Sequence, residues 1–171
     1  MTQRSYAKIS NGVRIIGIDP GTATTGYAII QSDRGRLHSL EFGSITTRKT
    51  RPLAHRLNEV YRDLNKLILK YRPQTLVVES IFFYKNVKTA IAVAQARGVV
   101  LLCAEEHKLS IIELTPLQVK SSLTGYGKAE KKQVQYMVKH LLGLKNTPKP
   151  DDAADALALA ICGANRNLNL I

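Results

Sequence analysis

Five carboxylates stand where packing alone does not explain an acid: Asp19, Glu79, Asp151, Asp152 and Asp155. Asp19 follows an apolar run, Val13 to Ile18, that predicts a buried strand, and Glu79 ends another such run. If these two strands are parallel neighbours in a mixed sheet, both acids lie at the same edge. Asp152 and Asp155 are three residues apart on a predicted helix and therefore share a face.

Crowded carboxylates repel one another unless they are protonated or bind cations. Hard divalent cations prefer oxygen ligands, and two Mg²⁺ ions about 3.5–4 Å apart form the arrangement that cleaves phosphodiesters. Asp151 is equally well explained as a helix cap or a partner of the helix dipole. The set as a whole, rather than any one member, favours a metal site.

The charge balance points to a polyanionic partner. The chain has 25 Lys+Arg against 13 Asp+Glu, a formal net charge of +12. Seven lysines and a single acid lie between residues 120 and 149, and eight basic residues and two acids between 48 and 72. Contacts from Lys and Arg to phosphates are favoured by counterion release. The alternative is a charge that serves only solubility.

The spacing of apolar residues predicts one α/β domain in the 171-residue chain. The expected order is three strands, a helix, a strand, a helix, a strand and then helices, which forms a mixed five-stranded sheet flanked by helices. The predicted strands cover residues 13–18, 25–31, 37–46, 75–79 and 110–114. The predicted helices cover residues 53–71, 87–106, 116–123, 128–142 and 151–163.

Other sequence features limit the classes to which the protein can belong. The amino terminus does not resemble a signal peptide, and no window approaches the apolar length of a membrane helix. Cys103 and Cys162 have no zinc-ligand or redox spacing, so buried, reduced thiols of a cytoplasmic protein are expected. We expect residues 1–12 to be an N-terminal extension, 13–164 the α/β domain and 165–171 a C-terminal tail.

Two further motifs leave alternatives open. Phe82, Phe83 and Tyr84 follow Glu79 directly, and three adjacent aromatic rings cannot all face one core. At least one is therefore expected to be exposed, either to stack on bases or to anchor its loop. The turn at 125–127 does not complete a phosphate-binding glycine motif and is better explained as a break between helices.

Several motifs in order resemble the RuvC Holliday-junction resolvases over residues 14–163. They are Ile16-Gly-Ile-Asp-Pro-Gly21 with Thr25-Gly-Tyr27, Val78-Glu-Ser80 followed by Phe82 and Lys85-Asn86, Gln95-Ala-Arg-Gly98, Thr115-Pro116 with Gln118-Val-Lys120, Ala129-Glu-Lys131, and Asp152-Ala-Ala-Asp-Ala-Leu157. The resemblance implies a ribonuclease H-like fold.

The resemblance also implies roles for individual residues. The metal-binding catalytic carboxylates would be Asp19, Glu79, Asp152 and Asp155, holding two Mg²⁺ ions, with Mn²⁺ as a substitute. Lys131 would be catalytic as well. The expected DNA contacts are Phe82, Phe83, Lys85, Lys120, Lys128, Lys131 and Lys132. The expected partners are a four-way DNA junction, a second copy of the chain through the helix around residues 90–102, and the branch-migration proteins RuvA and RuvB.

Three other classes compete with a junction resolvase. An actin-like kinase or chaperone shares Asp19-Pro-Gly-Thr22 but needs two domains, for which 171 residues are too few. A non-catalytic junction-binding protein would be expected to lack an acidic ligand, and every matching acid is present. A ribonuclease H-type enzyme acting on RNA–DNA hybrids would be favoured by a monomer that cuts hybrid duplex.

Overall fold

The computed structural model describes residues 12–80 and 87–168. Its elements, in chain order, are β1 (Val13–Asp19), β2 (Thr24–Asp33), β3 (Arg36–Thr46), α1 (Leu53–Tyr71), β4 (Thr75–Glu79), α2 (Val87–Glu106), β5 (Ser110–Leu114), α3 (Pro116–Thr124), α4 (Lys131–Leu141) and α5 (Asp151–Leu168). The predicted order of strands and helices is confirmed.

The five strands form one mixed sheet in the order β3-β2-β1-β4-β5. Strand β2 pairs antiparallel with both β1 and β3. Strand β4 pairs parallel with both β1 and β5. Helical crossovers supply the length that parallel connections require. The expected mixed sheet is thus present, with β1 at its centre.

Helices cover both faces of the sheet. Because side chains alternate along a strand, Ile15 packs on one face with α3, α4 and α5, whereas Ile16 packs on the other with α1 and α2. Burial on both sides explains why β1 is almost continuously apolar. Cys103 and Cys162 are free and buried, as expected. Among the described residues, no helix has the length and apolar character to cross a bilayer.

Several predicted boundaries were wrong for local reasons. The β2–β3 turn needs only Arg34 and Gly35, both at positive φ, so the strands extend to meet a two-residue turn. Helix α4 begins at Lys131 rather than Lys128, because Glu130 is its N-cap and shares a capping box with Gln133. Helix α5 continues past Gly163 to Leu168.

Candidate active site

Asp19 and Glu79 end neighbouring parallel strands, as the sequence predicts. Ile18 on β1 pairs with Val78 on β4, so the next residue of each strand is an acid at the same edge of the sheet. This is the carboxyl edge of the parallel pair, where α/β folds commonly place their ligand sites. The two acids are held by backbone hydrogen bonds of the sheet rather than by a loop.

Helix α5 lies directly against this part of the sheet because two glycines leave room for it. A Cβ added to Gly17 would be 2.1 Å from the carbonyl oxygen of Ala156, and one added to Gly26 would be 2.0 Å from that of Asp152. Gly26 is also the β2 partner of Asp19. The close approach therefore brings the start of α5, with Asp152 and Asp155, to the edge that carries Asp19.

A cavity of about 310 Å³ opens between these elements. Its charged lining consists of Asp19, Glu79, Asp155, Lys120 and Lys131, and apolar residues of α3, α4 and α5 complete the wall. Asp152 lies outside this lining, although its charge still acts on Asp19. The structure therefore brings together three of the four predicted carboxylates in one cavity and places the fourth beside it.

Burial and mutual repulsion raise the pKa values of the two strand-end acids. The pKa of Asp19 rises to about 7, first because of burial and then because of the charges of Asp155, Glu79 and Asp152, against the opposing effect of Lys131. The pKa of Glu79 is raised by burial and by Asp155, with Lys120 opposing. Such perturbed carboxylates in a cavity are typical of functional sites.

Lys131 supplies the positive charge nearest to this cluster. Its Nζ lies 3.0 Å from Oδ2 of Asp155 and 3.5 Å from Oδ2 of Asp151. Burial alone would lower the pKa of Lys131, but its hydrogen bonds and charge interactions with both aspartates raise it overall. The ammonium group thus stands where a cation is needed, between the first two turns of α5 and the cavity.

The side chains as they stand do not converge on one ion. Among the described residues, no group of three or more His, Cys, Asp and Glu side chains is arranged to hold a metal. The donor set nevertheless fits hard divalent cations, since it consists of carboxylates whose repulsion raises the pKa of Asp19. Lys131 donates a hydrogen bond to Oδ2 of Asp155, and a carboxylate has further lone pairs on both oxygens for a cation.

The raised pKa of Asp19 predicts a pH-dependent stability of the metal-free protein. Between the unfolded value near 3.8 and the folded value of about 7, the folded state retains a proton that the unfolded state loses. The free energy of unfolding should therefore fall as pH rises through this window, by at most about 4 kcal/mol. Asp19→Asn removes the contribution of Asp19 to this dependence and should be more stable than the wild type at pH 8.

Thermal unfolding in a chelator at pH 5 and pH 8 measures this effect. The advantage of Asp19→Asn over the wild type should be larger at pH 8. Asp63→Asn is the matched control, because Asp63 lies on α1 in an exposed ion pair with Lys66. An equal advantage at both pH values would contradict the raised pKa.

The other predicted DNA contacts lie apart from the cavity or outside the described residues. Lys128 is exposed in the turn before α4, and Lys132 lines a separate cavity of about 460 Å³ with Thr124 and Tyr136. Phe82, Phe83 and Lys85 fall outside the described residues, so their predicted roles stay predictions.

Arg97 on α2 was given no predicted role, although it belongs to the motif Gln95-Ala-Arg-Gly98. Its Nε donates to the backbone oxygen of Glu79 at 3.3 Å, and its guanidinium forms an ion pair with Glu113 on β5. Arg97 therefore ties α2 to the end of β4 that carries the acid. Its place in that motif was the available signal.

Comparison with known proteins decides the family. The family model described as crossover junction endodeoxyribonuclease RuvC matches residues 15–163. The protein of that name from Syntrophomonas wolfei is 51% identical over 150 residues, which cover 88% of this chain and 87% of that protein. The one from Alkaliphilus oremlandii is 52% identical over 151 residues, which cover 88% of this chain and 92% of that protein.

The chain belongs to the RuvC family.

Solved structures confirm the expected ribonuclease H-like fold of the RuvC family for this chain. Thermus thermophilus RuvC in complex with Holliday junction substrate superposes with a TM-score of 0.86 at 31% identity, over 92% of this chain and 96% of that one. The yeast mitochondrial Holliday junction resolvase Ydc2 superposes with a TM-score of 0.67 at 14% identity, over 96% and 84%, and supports the fold alone.

Proposed function

We propose that the chain resolves four-way DNA junctions in recombination and repair by paired symmetric nicks. Membership of the RuvC family gives the class of enzyme, a crossover junction endodeoxyribonuclease. The observation that carries the proposal is the cavity in which Asp19, Glu79 and Asp155 meet two lysines. Each of these residues belongs to one of the sequence motifs that resemble the family.

The proposed cofactor is a pair of Mg²⁺ ions, for which Mn²⁺ can substitute. Asp19, Glu79, Asp152 and Asp155 would hold these ions. When bound, such ions activate a water molecule and stabilise charge on the leaving 3′ oxygen. Cleavage would leave 5′-phosphate ends.

Lys131 has a role of its own in this proposal. Its ammonium group lies at the cavity and is held by Asp151 as well as Asp155. If Asp155 binds a cation, Lys131 keeps Asp151 as a partner and can turn its remaining donors towards the scissile phosphate. A positive charge there stabilises the transition state more than the bound substrate. Lys120, on the Glu79 side of the cavity, would contact the same strand.

Lys131→Ala should therefore reduce turnover much more than junction binding. We expect a loss of roughly 100-fold in the single-turnover cleavage rate, the size typical of one removed transition-state donor. Lys139→Ala removes the same charge from α4 outside the cavity and is the matched control. A cleavage rate of Lys131→Ala equal to that of the control would remove Lys131 from the mechanism.

A homodimer would supply two equivalent sites for two symmetric nicks. Helix α2 supports this proposal, because Ile91 and Leu102 expose 52% and 57% of their surfaces. A Cβ added to Gly98 would meet nothing within 4 Å in the described residues, so this position of α2 is open. The open glycine leaves room for a partner helix.

Three further parts of the proposal concern the surroundings of the nuclease. We propose that residues 13–164 form the nuclease domain, flanked by an extension at 1–12 and a tail at 165–171. Phe82 or Phe83 would stack at the junction, with Lys85 on its backbone. The enzyme would work in the cytoplasm with the branch-migration proteins RuvA and RuvB.

Substrate choice tests the proposed function against a hybrid-specific nuclease. Purified protein with Mg²⁺ is given a synthetic four-way junction, linear duplex DNA and an RNA–DNA hybrid in parallel. We expect cleavage of the junction alone, by a protein that elutes as a dimer. Cleavage of the hybrid by a monomer, with the junction intact, would replace resolution by ribonuclease H-type activity.

A further inference from the structure

The connection that follows Asp19 is held by a residue from another strand. Thr47 comes directly after β3 and is only 4% exposed. Its backbone N–H donates to the carbonyl oxygen of Ala23 at 3.0 Å, and its hydroxyl donates to that of Thr22 at 2.6 Å. One side chain and its own amide thus fix two consecutive carbonyls of the β1–β2 connection.

Helix α1 fixes that hydroxyl in turn. Nε of Arg56 donates to Oγ1 of Thr47 at 3.0 Å. A threonine hydroxyl has one proton and two lone pairs, so donation to Thr22 and acceptance from Arg56 together define its orientation. The guanidinium is always charged, which strengthens its hydrogen bond to the hydroxyl.

A third carbonyl of the same connection is also held. The hydroxyl of Thr25 donates to the carbonyl oxygen of Gly21 at 2.6 Å, and a Cβ added to Gly21 would be 2.3 Å from the carbonyl oxygen of Thr24. The three consecutive carbonyls from Gly21 to Ala23 are therefore all hydrogen-bonded. The chain directly after Asp19 is tightly constrained.

The hydrogen bonds after Asp19 oppose a movement that the charges of the cavity would favour. Asp19 is repelled by Asp155, Glu79 and Asp152, and turning towards solvent would relieve that repulsion. The sheet holds the strand up to Asp19 through its pairing with Gly26. On the other side of Asp19, the constraint comes from the hydrogen bonds of Thr25 and Thr47.

We propose that Thr47 and Arg56 are positioning residues, which hold the connection after Asp19 so that its carboxylate stays directed at the other acids. This role rests on the proposed function, since it matters only if the carboxylates act together on a metal. Neither residue touches the reacting atoms. Their effect reaches the site through the backbone of Thr22 and Ala23.

Binding of Mn²⁺ to the DNA-free protein, measured by calorimetry, tests this role without cleavage. Thr47→Val keeps the shape of the side chain and removes the hydroxyl. We expect it to weaken Mn²⁺ binding about tenfold, the lower end for residues that orient metal ligands. Thr47→Ser restores the hydroxyl and should bind Mn²⁺ like the wild type. Thr46→Val, at the exposed neighbouring position, is the matched control.

The same variants are then compared on a four-way junction. Thr47→Val should cut about tenfold more slowly in single turnover at saturating junction, whereas its junction affinity stays within about twofold of the wild type. A residue that served only general stability would not change metal affinity in the folded protein. Thermal unfolding confirms that each variant is folded at the assay temperature.

Arg56→Gln tests the other end of the contact. If Arg56 acts through Thr47, the double variant Arg56→Gln/Thr47→Val should bind Mn²⁺ no more weakly than Thr47→Val alone. Losses that multiply would separate Arg56 from Thr47 and overturn the paired role. If Thr47→Val proves too unstable, Arg56→Gln tests the contact on its own, because it should by itself weaken Mn²⁺ binding, and unchanged Mn²⁺ binding would overturn the role of Arg56.

The outcomes separate this inference from the function on which it rests. Suppose that the wild-type protein binds Mn²⁺ and cuts junctions, and that a folded Thr47→Val does both equally well. This result would overturn the positioning role and leave the proposed function intact. Failure of Thr47→Ser to restore Mn²⁺ binding would also overturn the positioning role. If the wild-type protein neither binds Mn²⁺ nor cuts junctions, both the proposed function and the positioning role are overturned.

Discussion

Asp19→Asn should abolish junction cleavage and leave junction binding largely intact. The substitution keeps the size of the side chain and removes the charge at the most repelled carboxylate of the cavity. We expect the single-turnover rate to fall by at least about 1,000-fold, as for other groups that act as one catalytic unit. DNA affinity should stay the same or rise, because a negative charge facing the phosphates is removed.

Cleavage and binding must be measured on the same preparations. Gel-shift titration in Ca²⁺ gives the affinity, and single-turnover cleavage in Mg²⁺ gives the rate. Asp63→Asn, an exposed substitution on α1, is the control and should behave like the wild type. Parallel loss of binding and cleavage in Asp19→Asn would mean that Asp19 supports the structure rather than the reaction.

Raising the salt concentration from about 50 to 200 mM should weaken junction binding by about 10³–10⁵-fold if six to ten phosphates are contacted. The net charge of +12 is the first reason for this expectation. The second is the distribution of exposed basic side chains, with Lys128 before α4, Lys132 on α4, and Arg48 and Lys49 before α1. Lys120 and Lys131 add two positive charges at the carboxylate cavity itself.

The slope of this salt dependence can be assigned to individual residues. Lys128→Ala and Lys132→Ala should each reduce the slope of log affinity against log salt by about one, if each lysine neutralises one phosphate. Both should leave the cleavage rate at saturating junction close to that of the wild type. Junction binding that does not depend on salt would contradict the interpretation of the basic residues as a DNA-binding surface.

The fold could be predicted from the sequence because the apolar runs of the strands and the apolar spacing of the helices indicate the same arrangement. The apolar runs of β1 and β4 require burial on both faces, and the helical stripe from Leu53 to Tyr71 covers one of them. The first residue of α4 and the last residue of α5 were less predictable. They depend on the capping pair Glu130 and Gln133 and on packing beyond Gly163, which apolar periodicity does not report.

The candidate site was predictable only in part. Parallel strands place Asp19 beside Glu79 without knowledge of any side-chain contact, and three-residue spacing does the same for Asp152 and Asp155. The ion pair of Lys131 with Asp155 and the hydrogen bond of Arg56 to Thr47 join separate elements of the fold. No local pattern encodes them, because they arise only when the helices pack on the sheet.

We propose that the carboxylate cavity makes paired, symmetric, metal-dependent nicks in a four-way junction. The most direct measurement maps the nicks in a synthetic junction with each strand labelled in turn, with Mg²⁺ and then Mn²⁺, for the wild type and Asp19→Asn beside linear duplex. We predict paired nicks in two strands of like polarity, in the junction alone and only with the wild type. Tight junction binding without nicks, over varied junction sequences and with both metals, would instead identify a junction-binding module.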